Sequence, residues 1–374
     1  MADNHHHSNG LSSQMIALKD LNMHVLTCSP GALPDTSSPP PLLVLLHGFP
    51  ELSFSWRNVM LPLARQGYFV VAPDQRGYGG TVRSPSPNVD HDDYKLCRMS
   101  NLVDDIVALV NALGYTHASA VIGHDFGSLV AAHCALLKPT MFSRVVMMSA
   151  PFSGVSSPVG HGVMERLNSY NPPRKHYTAY FSSAGANPDI LNAPQGLRTF
   201  LREYFYAKSA DNPANQPHPI SLDEFDQLPR YYLMLASETM PEAVQGSCSP
   251  DYLPTWLSED DLDVYVRQFQ RSGFQGGLHW YRCMTGGESS ADLQAKYGNK
   301  EIEVPAMFIG GKQDWGTWQS PGAVGKMRSC RSMREDDFVL VDGAGHWIQQ
   351  EQPQKVVDLL LKFLARSSER AGTP

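Results

Sequence analysis

Apolar positions along the chain come in two recurring forms: short unbroken runs, and longer stretches spaced at three and four residues. Leu42-Leu43-Val44-Leu45-Leu46 is of the first kind. Delivered by Pro39-Pro40-Pro41, it reads as a strand buried on both faces. Residues 69–72, 118–122, 144–149, 304–309 and 338–341 repeat that form. Helical stretches lie between them. Residues 101–113 carry Leu102, Ile106, Leu109, Val110 and Leu113 on one face and stop at Gly114; residues 55–66, 129–137 and 356–365 read the same way. Ahead of this alternation, residues 15–18 and 23–27 read as paired strands with Asp20 and Asn22 near their turn. The alternation predicts an α/β fold with a mostly parallel central sheet flanked by helices on both faces.

The rhythm stops between residues 152 and 300. That segment is rich in Pro, Gly, Asn and aromatic residues, offers helices at Leu197–Ala207 and 260–270, and shows no convincing strand. It is expected to be a mainly helical lid on a core made of residues 1–151 and 301–374, each part of domain size.

Composition narrows the function. Hydrophobic residues make up 42% of the 374, enough for a sizeable core. Thirty Lys+Arg against 37 Asp+Glu give −7, which argues against a nucleic-acid partner held through phosphates. The six cysteines form no CxxC pair, so neither a zinc site nor a disulfide framework is expected. Met1 to Gln14 lacks an apolar signal region, no apolar run is long enough to span a bilayer, and Ala371-Gly372-Thr373-Pro374 matches no lipidation or peroxisomal address. A cytoplasmic protein is the expectation. His5-His6-His7 has metal-binding side chains but sits in a polar terminus and is read as incidental.

Candidate chemistry begins at Gly123-His124-Asp125-Phe126-Gly127, between a strand and a helix. G-x-x-x-G around a reactive residue is the nucleophile elbow, usually built on Ser. Here Asp125 occupies the centre. A Ser alkoxide serves acyl transfer, whereas a carboxylate displaces a leaving group from saturated carbon and becomes an alkyl ester. The plainer reading is an acid capping a helix. Two further segments favour chemistry. His47-Gly48-Phe49-Pro50 resembles a loop that supplies one oxyanion-hole amide, Phe49 N–H, to pair with that of Phe126. Gly343-Ala344-Gly345-His346-Trp347 places His346 between the last strand and the last helix, where a general base belongs. An acid is then required between Asp125 and His346. Asp314 directly follows a strand; Asp342 competes from the end of another.

With Asp74-Gln75-Arg76-Gly77-Tyr78-Gly79 and Gly310-Gly311-Lys312-Gln313-Asp314, these segments resemble the epoxide hydrolase branch of the α/β-hydrolases, which is related to the haloalkane dehalogenases. The resemblance spans roughly Leu42 to Pro353. It implies an Asp nucleophile at Asp125, a base at His346 oriented by Asp314, and two lid tyrosines that hold the epoxide oxygen. Those roles fall on Tyr177, in His176-Tyr177-Thr178-Ala179-Tyr180-Phe181, and on Tyr281, in Gly277-Leu278-His279-Trp280-Tyr281-Arg282. A phenol of pKa about 10 suits hydrogen bonding to an opening ring and then protonating it. The ordinary alternative is a packing aromatic, preferred for Tyr180, Tyr204, Tyr206, Tyr231 and Tyr232. Relatives often carry Trp after the nucleophile; Phe126 lacks the indole N–H that dehalogenases use for halide. The resemblance thus implies conversion of a lipophilic epoxide and water to a vicinal diol, with neither metal nor organic cofactor. Haloalkane dehalogenation, or a biosynthetic epoxide opening with cyclisation, are the alternatives.

Overall fold

The structure, a computed structural model, describes residues 10–31, 38–83, 93–155 and 161–366. His5, His6, His7 and the last four residues lie outside them. Among the described residues the strands are β1 (Ser12–Ala17), β2 (Leu21–Cys28), β3 (Leu42–Leu46), β4 (Phe69–Pro73), β5 (Val82–Arg83), β6 (Ala120–His124), β7 (Val145–Met148), β8 (Arg174–His176), β9 (Leu233–Leu235), β10 (Ala306–Gly311) and β11 (Met333–Val341). The main sheet runs β1-β2-β4-β3-β6-β7-β10-β11, with β5 on β2. Pairings that involve β2 are antiparallel, and every pairing from β4 to β11 is parallel.

Helices α1 (Arg57–Arg65), α2 (Met99–Ala112) and α3 (Phe126–Leu137) precede β7. After β7 the chain leaves the sheet through α4 (His161–Asn168), α5 (Tyr177–Phe181), α6 (Ala186–Leu191), α7 (Leu197–Ala207), α8 (Met240–Val244), α9 (Glu259–Ser272), α10 (Gln275–Thr285) and α11 (Ala291–Tyr297). It returns through β10, α12 (Ala323–Arg328), β11, α13 (Ile348–Glu351) and α14 (Pro353–Leu364).

The unbroken apolar runs have a direct cause. Side chains alternate across a strand, and here both faces are covered. Leu43, Leu45, Ile122, Val146 and Ile309 meet α1 and α14, through Val59, Leu63, Val356 and Leu360. Their neighbours Val44, Leu46, Val121, Val145 and Phe308 join the larger core that holds Leu102 and Ile106 of α2 and Val130 of α3.

Several elements depart from expectation. α3 starts at Phe126, directly after Asp125, rather than at residue 129. β11 begins at Met333; its polar start, Arg334-Glu335-Asp336, hid a strand that lies at the sheet edge and needs no apolar face there. The inserted segment also contains a small antiparallel sheet, β8 with β9, registered His176 to Leu233. Three residues per strand, one of them reading Arg-Lys-His, give no alternation to detect.

The parallel register sets the carboxyl ends of β3, β6, β7 and β10 side by side: Leu46 faces Gly123, His124 faces Met148, and Met148 faces Ile309. Between β3 and β6 the strand order reverses, and crevices at such a point are where open α/β sheets bind ligands. The inserted helices are fixed over that edge. Arg57 holds Trp256 O at 3.0 Å, Gln350 Oε1 at 2.7 Å and Asp261 at 2.9 Å. Trp280 Nε1 donates to Arg76 O at 3.0 Å. Beside it, Gly276 and Gly77 touch backbone to backbone, and a Cβ on either would overlap the other's peptide.

Candidate active site

Asp125 sits between β6 and α3 with φ 54° and ψ −120°, a left-handed conformation that non-glycine residues avoid. Strain of this kind costs roughly 1–3 kcal/mol and persists only where neighbours enforce it. Here the Asp125 N–H donates to Met148 O at 3.1 Å, and its carbonyl accepts from Ser128 N–H at 3.0 Å. The flanking glycines are required by space. A Cβ at Gly123 would collide with the Gly127 carbonyl, one at Gly127 with Leu46 O, and one at Gly48 with the Asp125 side chain.

The Asp125 carboxylate is held from two sides. Oδ1 accepts from Phe49 N–H at 3.1 Å, and the Phe49–Pro50 peptide is cis. Oδ2 lies 3.3 Å from His346 Nε2, which makes no hydrogen bond. On the other side of that ring, Nδ1 meets Asp314 Oδ1 at 3.0 Å. Asp125, His346 and Asp314 therefore converge although 32 or more positions separate Asp314 and Asp125 from His346 in sequence. Asp342 does not join them; it is exposed and pairs with Lys312 at 2.6 Å. Phe126 opens α3, so its N–H is among the first-turn donors without a partner inside the helix.

Burial alone would raise both carboxyls. For Asp125 it is outweighed by His346, with the charges of Lys208 and His124 behind it, and for Asp314 by His346, Lys208 and the Gly316 N–H. Both acids are held below the usual carboxylate range. Asp125 is thus an anion at neutral pH, as a nucleophile must be.

Behind these groups stand residues that the sequence patterns did not single out. Glu51 and His124 have zero exposure and pair at 2.6 Å. Burial would discharge each, yet their mutual attraction pushes Glu51 down and His124 up. His124 Nε2 donates to His346 O at 2.6 Å, and Glu51 accepts from Gly48 N–H at 3.2 Å and Gln349 at 2.8 Å. One charged pair thereby ties together three loops: after β3, after β6 and after β11. Glu351 accepts the N–H groups on either side of His346, from Gly345 at 2.8 Å and Trp347 at 2.9 Å, while His346 N–H donates to Lys208 O at 2.8 Å. Asp74 binds Ser53 N–H at 2.8 Å, and Gln75 binds His47 O at 2.6 Å, bracing the loop that carries Phe49. Glu51 directly follows the quoted His47–Pro50 segment and His124 lies within the quoted Gly123–Gly127 elbow; the one further sequence signal is a polar side chain, that of His124, closing an apolar strand.

A cavity of about 250 Å³ opens beside Asp125 and is lined by Phe126, Tyr177 and Tyr281, among others. Tyr281 on α10 packs edge-on against Phe126 (4.7 Å between ring centroids) and Phe49 (5.3 Å); Tyr177, the first residue of α5, stands 6.0 Å from Tyr281. Burial, reinforced by neighbouring anionic groups that include Asp125, raises both phenols, so each remains an O–H donor. Tyr180, Tyr204, Tyr206, Tyr231 and Tyr232 do not line this cavity. Tyr231 bonds Asn215 at 2.6 Å, and Tyr204 and Tyr232 cover the Lys208 ammonium. Among the described residues no cluster of His, Cys, Asp or Glu is placed to hold a metal, and no helix is long and apolar enough to cross a membrane.

Residues 41–184 match the family model of the alpha/beta hydrolase fold. Epoxide hydrolase B of Mycobacterium tuberculosis is 34% identical over 370 residues, covering 94% of this chain and 97% of that protein. Epoxide hydrolase A of the same organism is 34% identical over 333 residues, 87% and 90% of the two chains. Among solved structures, an epoxide hydrolase from an endophytic Streptomyces superposes with a TM-score of 0.75 at 29% identity, covering 96% of each chain. Potato (Solanum tuberosum) epoxide hydrolase I gives 0.73 at 29% identity, covering 95% of this chain and 99% of that one. Sequence kinship over nearly the whole length and the same architecture agree with the carboxylate elbow: the chain belongs to the epoxide hydrolases of the α/β-hydrolase fold.

Proposed function

We propose that this enzyme, a hydrolase acting on ether bonds with an epoxide and water as substrates, works in two covalent steps centred on Asp125. The Asp125 carboxylate attacks one ring carbon while Tyr177 and Tyr281 hydrogen-bond the epoxide oxygen and protonate it as the C–O bond breaks. A glycol monoester of Asp125 results. His346, oriented by Asp314, then takes a proton from water, and the hydroxide adds to the ester carbonyl. The Phe49 and Phe126 N–H groups meet the tetrahedral oxyanion; such donors are each worth about 3 kcal/mol. On collapse the His346 imidazolium protonates the departing glycol oxygen to release a vicinal diol, and the acid proton left on Asp125, which now holds one water oxygen, passes to the phenolate and restores both groups. Residues 152–300 serve as the lid that carries the phenols over a core of residues 1–151 and 301–374, and the aromatic lining of the cavity suits a lipophilic epoxide.

The observation that carries this reading is the division of labour on one carboxylate. Its Oδ1 is bound by the Phe49 amide, its Oδ2 faces an imidazole nitrogen that has no other partner, and Asp125 lines a cavity shared with two tyrosines. Halide displacement gains nothing here, since residue 126 has no ring N–H and the neighbouring Trp280 indole is committed to Arg76 O. The test is one turnover in heavy-oxygen water followed by peptide mass spectrometry. The label is expected in Asp125; its direct appearance in the diol, with Asp125 unlabelled, would refute the covalent scheme.

A further inference from the structure

The walls of the cavity are not uniformly apolar. Toward the nucleophile they are aromatic. Further along α3, two turns or about 12 Å of helix beyond Asp125, the wall changes to His133 with Ser153, Ser289 and Ser290 nearby in the lining. His133 is 3% exposed and packs edge-on to Phe152 at 5.1 Å.

The state of this imidazole can be read from its partners. Nδ1 lies 2.7 Å from the Leu129 carbonyl, which can only accept, so Nδ1 carries the proton. Burial lowers the ring's pKa to about 4, hence at neutral pH Nε2 is an unprotonated lone pair. Among the described residues nothing donates to it. A buried acceptor without a donor costs free energy that a ligand able to supply one would recover. A second imidazole in the lining, His176, meets the Thr178 hydroxyl through Nδ1 at 2.8 Å and also leaves its Nε2 without a partner among the described residues.

We propose that the far end of this cavity binds a hydroxyl group of the substrate, with His133 Nε2 accepting its hydrogen bond. The substrate class is then an amphipathic epoxide, oxirane at one end and hydroxyl at the other, separated by an apolar spacer that lies along the aromatic stretch. This inference rests on Asp125 being where the epoxide reacts.

The test uses 1,2-epoxyalkanes of about six to ten carbons that end in a hydroxyl, paired with the same epoxides ending in a methyl ether. The ether keeps the acceptor oxygen and lacks the donor, so only a lone pair on the protein distinguishes the two. At the best-fitting length kcat/KM for the alcohol is expected to exceed that for the ether by about tenfold or more. His133→Leu is expected to bring that ratio to about one, and His133→Gln, whose amide oxygen can stand in for Nε2, to keep most of it. Equal rates for alcohol and ether at every length overturn the inference and leave the epoxide hydrolase reading intact, and this comparison needs only the unaltered enzyme. A preference that survives in His133→Leu overturns it as well. Failure of the unaltered enzyme to open any member of the series overturns the proposed substrate class, whereas the covalent scheme stands or falls separately with the oxygen label in Asp125.

Discussion

The two sides of the cavity are built by different means. On the sheet side the groups assigned the chemistry follow strand ends and are fixed by short polar bonds: Asp125 through Met148 and Phe49, and His346 through Asp314, Lys208, His124 and the two amides held by Glu351. On the inserted side the tyrosines are fixed by rings. Tyr281 has Phe49, Phe126, Phe181 and Tyr177 around it, and Tyr177 has Phe181 and Tyr232. Polar bonds fix direction, and so suit atoms that must aim at a carbon. Ring packing is weaker per contact and less directional, about 0.5–1.5 kcal/mol for each pair, and suits donors that need only reach one oxygen. Under the mechanism proposed above, the difference implies that the sheet side governs whether the ester is made and resolved, and the inserted side how fast it forms.

Substitutions can break or sharpen that division. Asp125→Ala should abolish diol formation and leave no covalent adduct, followed by chromatography of the diol and intact-mass spectrometry. His346→Gln should lower steady-state turnover by about 10⁴-fold or more while the ester on Asp125 accumulates, because only the second step needs the base. Tyr177→Phe and Tyr281→Phe should each slow ester formation by about 10²-fold with no accumulation, read as the pre-steady-state alkylation rate; accumulation in either would erase the distinction between the two sides. Glu351→Gln should reduce kcat by about tenfold with KM little changed, since it loosens the His346 loop without touching substrate. Acid gives the smallest effect and separates the buried imidazoles from the carboxylates. His133 and His176, lowered by burial to about 4, are neutral when folded but take up protons when unfolded below about pH 6.5. Their contribution to stability should therefore drain away as pH falls from 6.5 to 4, by at most about 1.4 kcal/mol per pH unit for each ring. The depressed carboxyls Asp125 and Asp314 keep their contribution until pH falls below about 4. Denaturant unfolding of the enzyme and of His133→Leu across that range, compared pH by pH, isolates the histidine share; parallel curves would refute it.

What could be read in advance follows the same line. β3 and α7 have the bounds that their apolar patterns and flanking residues predict, Leu42–Leu46 and Leu197–Ala207. The α/β architecture followed from that alternation. Asp125, Asp314 and His346 stand out in sequence because loop position and chain order mark them, and the structure brings them within 3.3 Å of one another in turn. Glu51 and His124 did not stand out, since two opposite charges that neutralise each other inside a core leave no periodic trace. Gln349 and Gln350 are polar yet buried, both donating to Glu51. Patterns of polarity report where water is, and these residues have traded water for each other.

The contact between Gly77 and Gly276 has one more consequence. Because two peptide planes meet there with no side chain between them, the approach of α10 to the loop after β4 is limited at that point by backbone thickness. Exchange of residues elsewhere around the chamber can widen, narrow or re-line it while this backbone contact stays in place. Descendants of this chain are thus free to change diet without having to reinvent the reaction, as long as neither glycine acquires a methyl group.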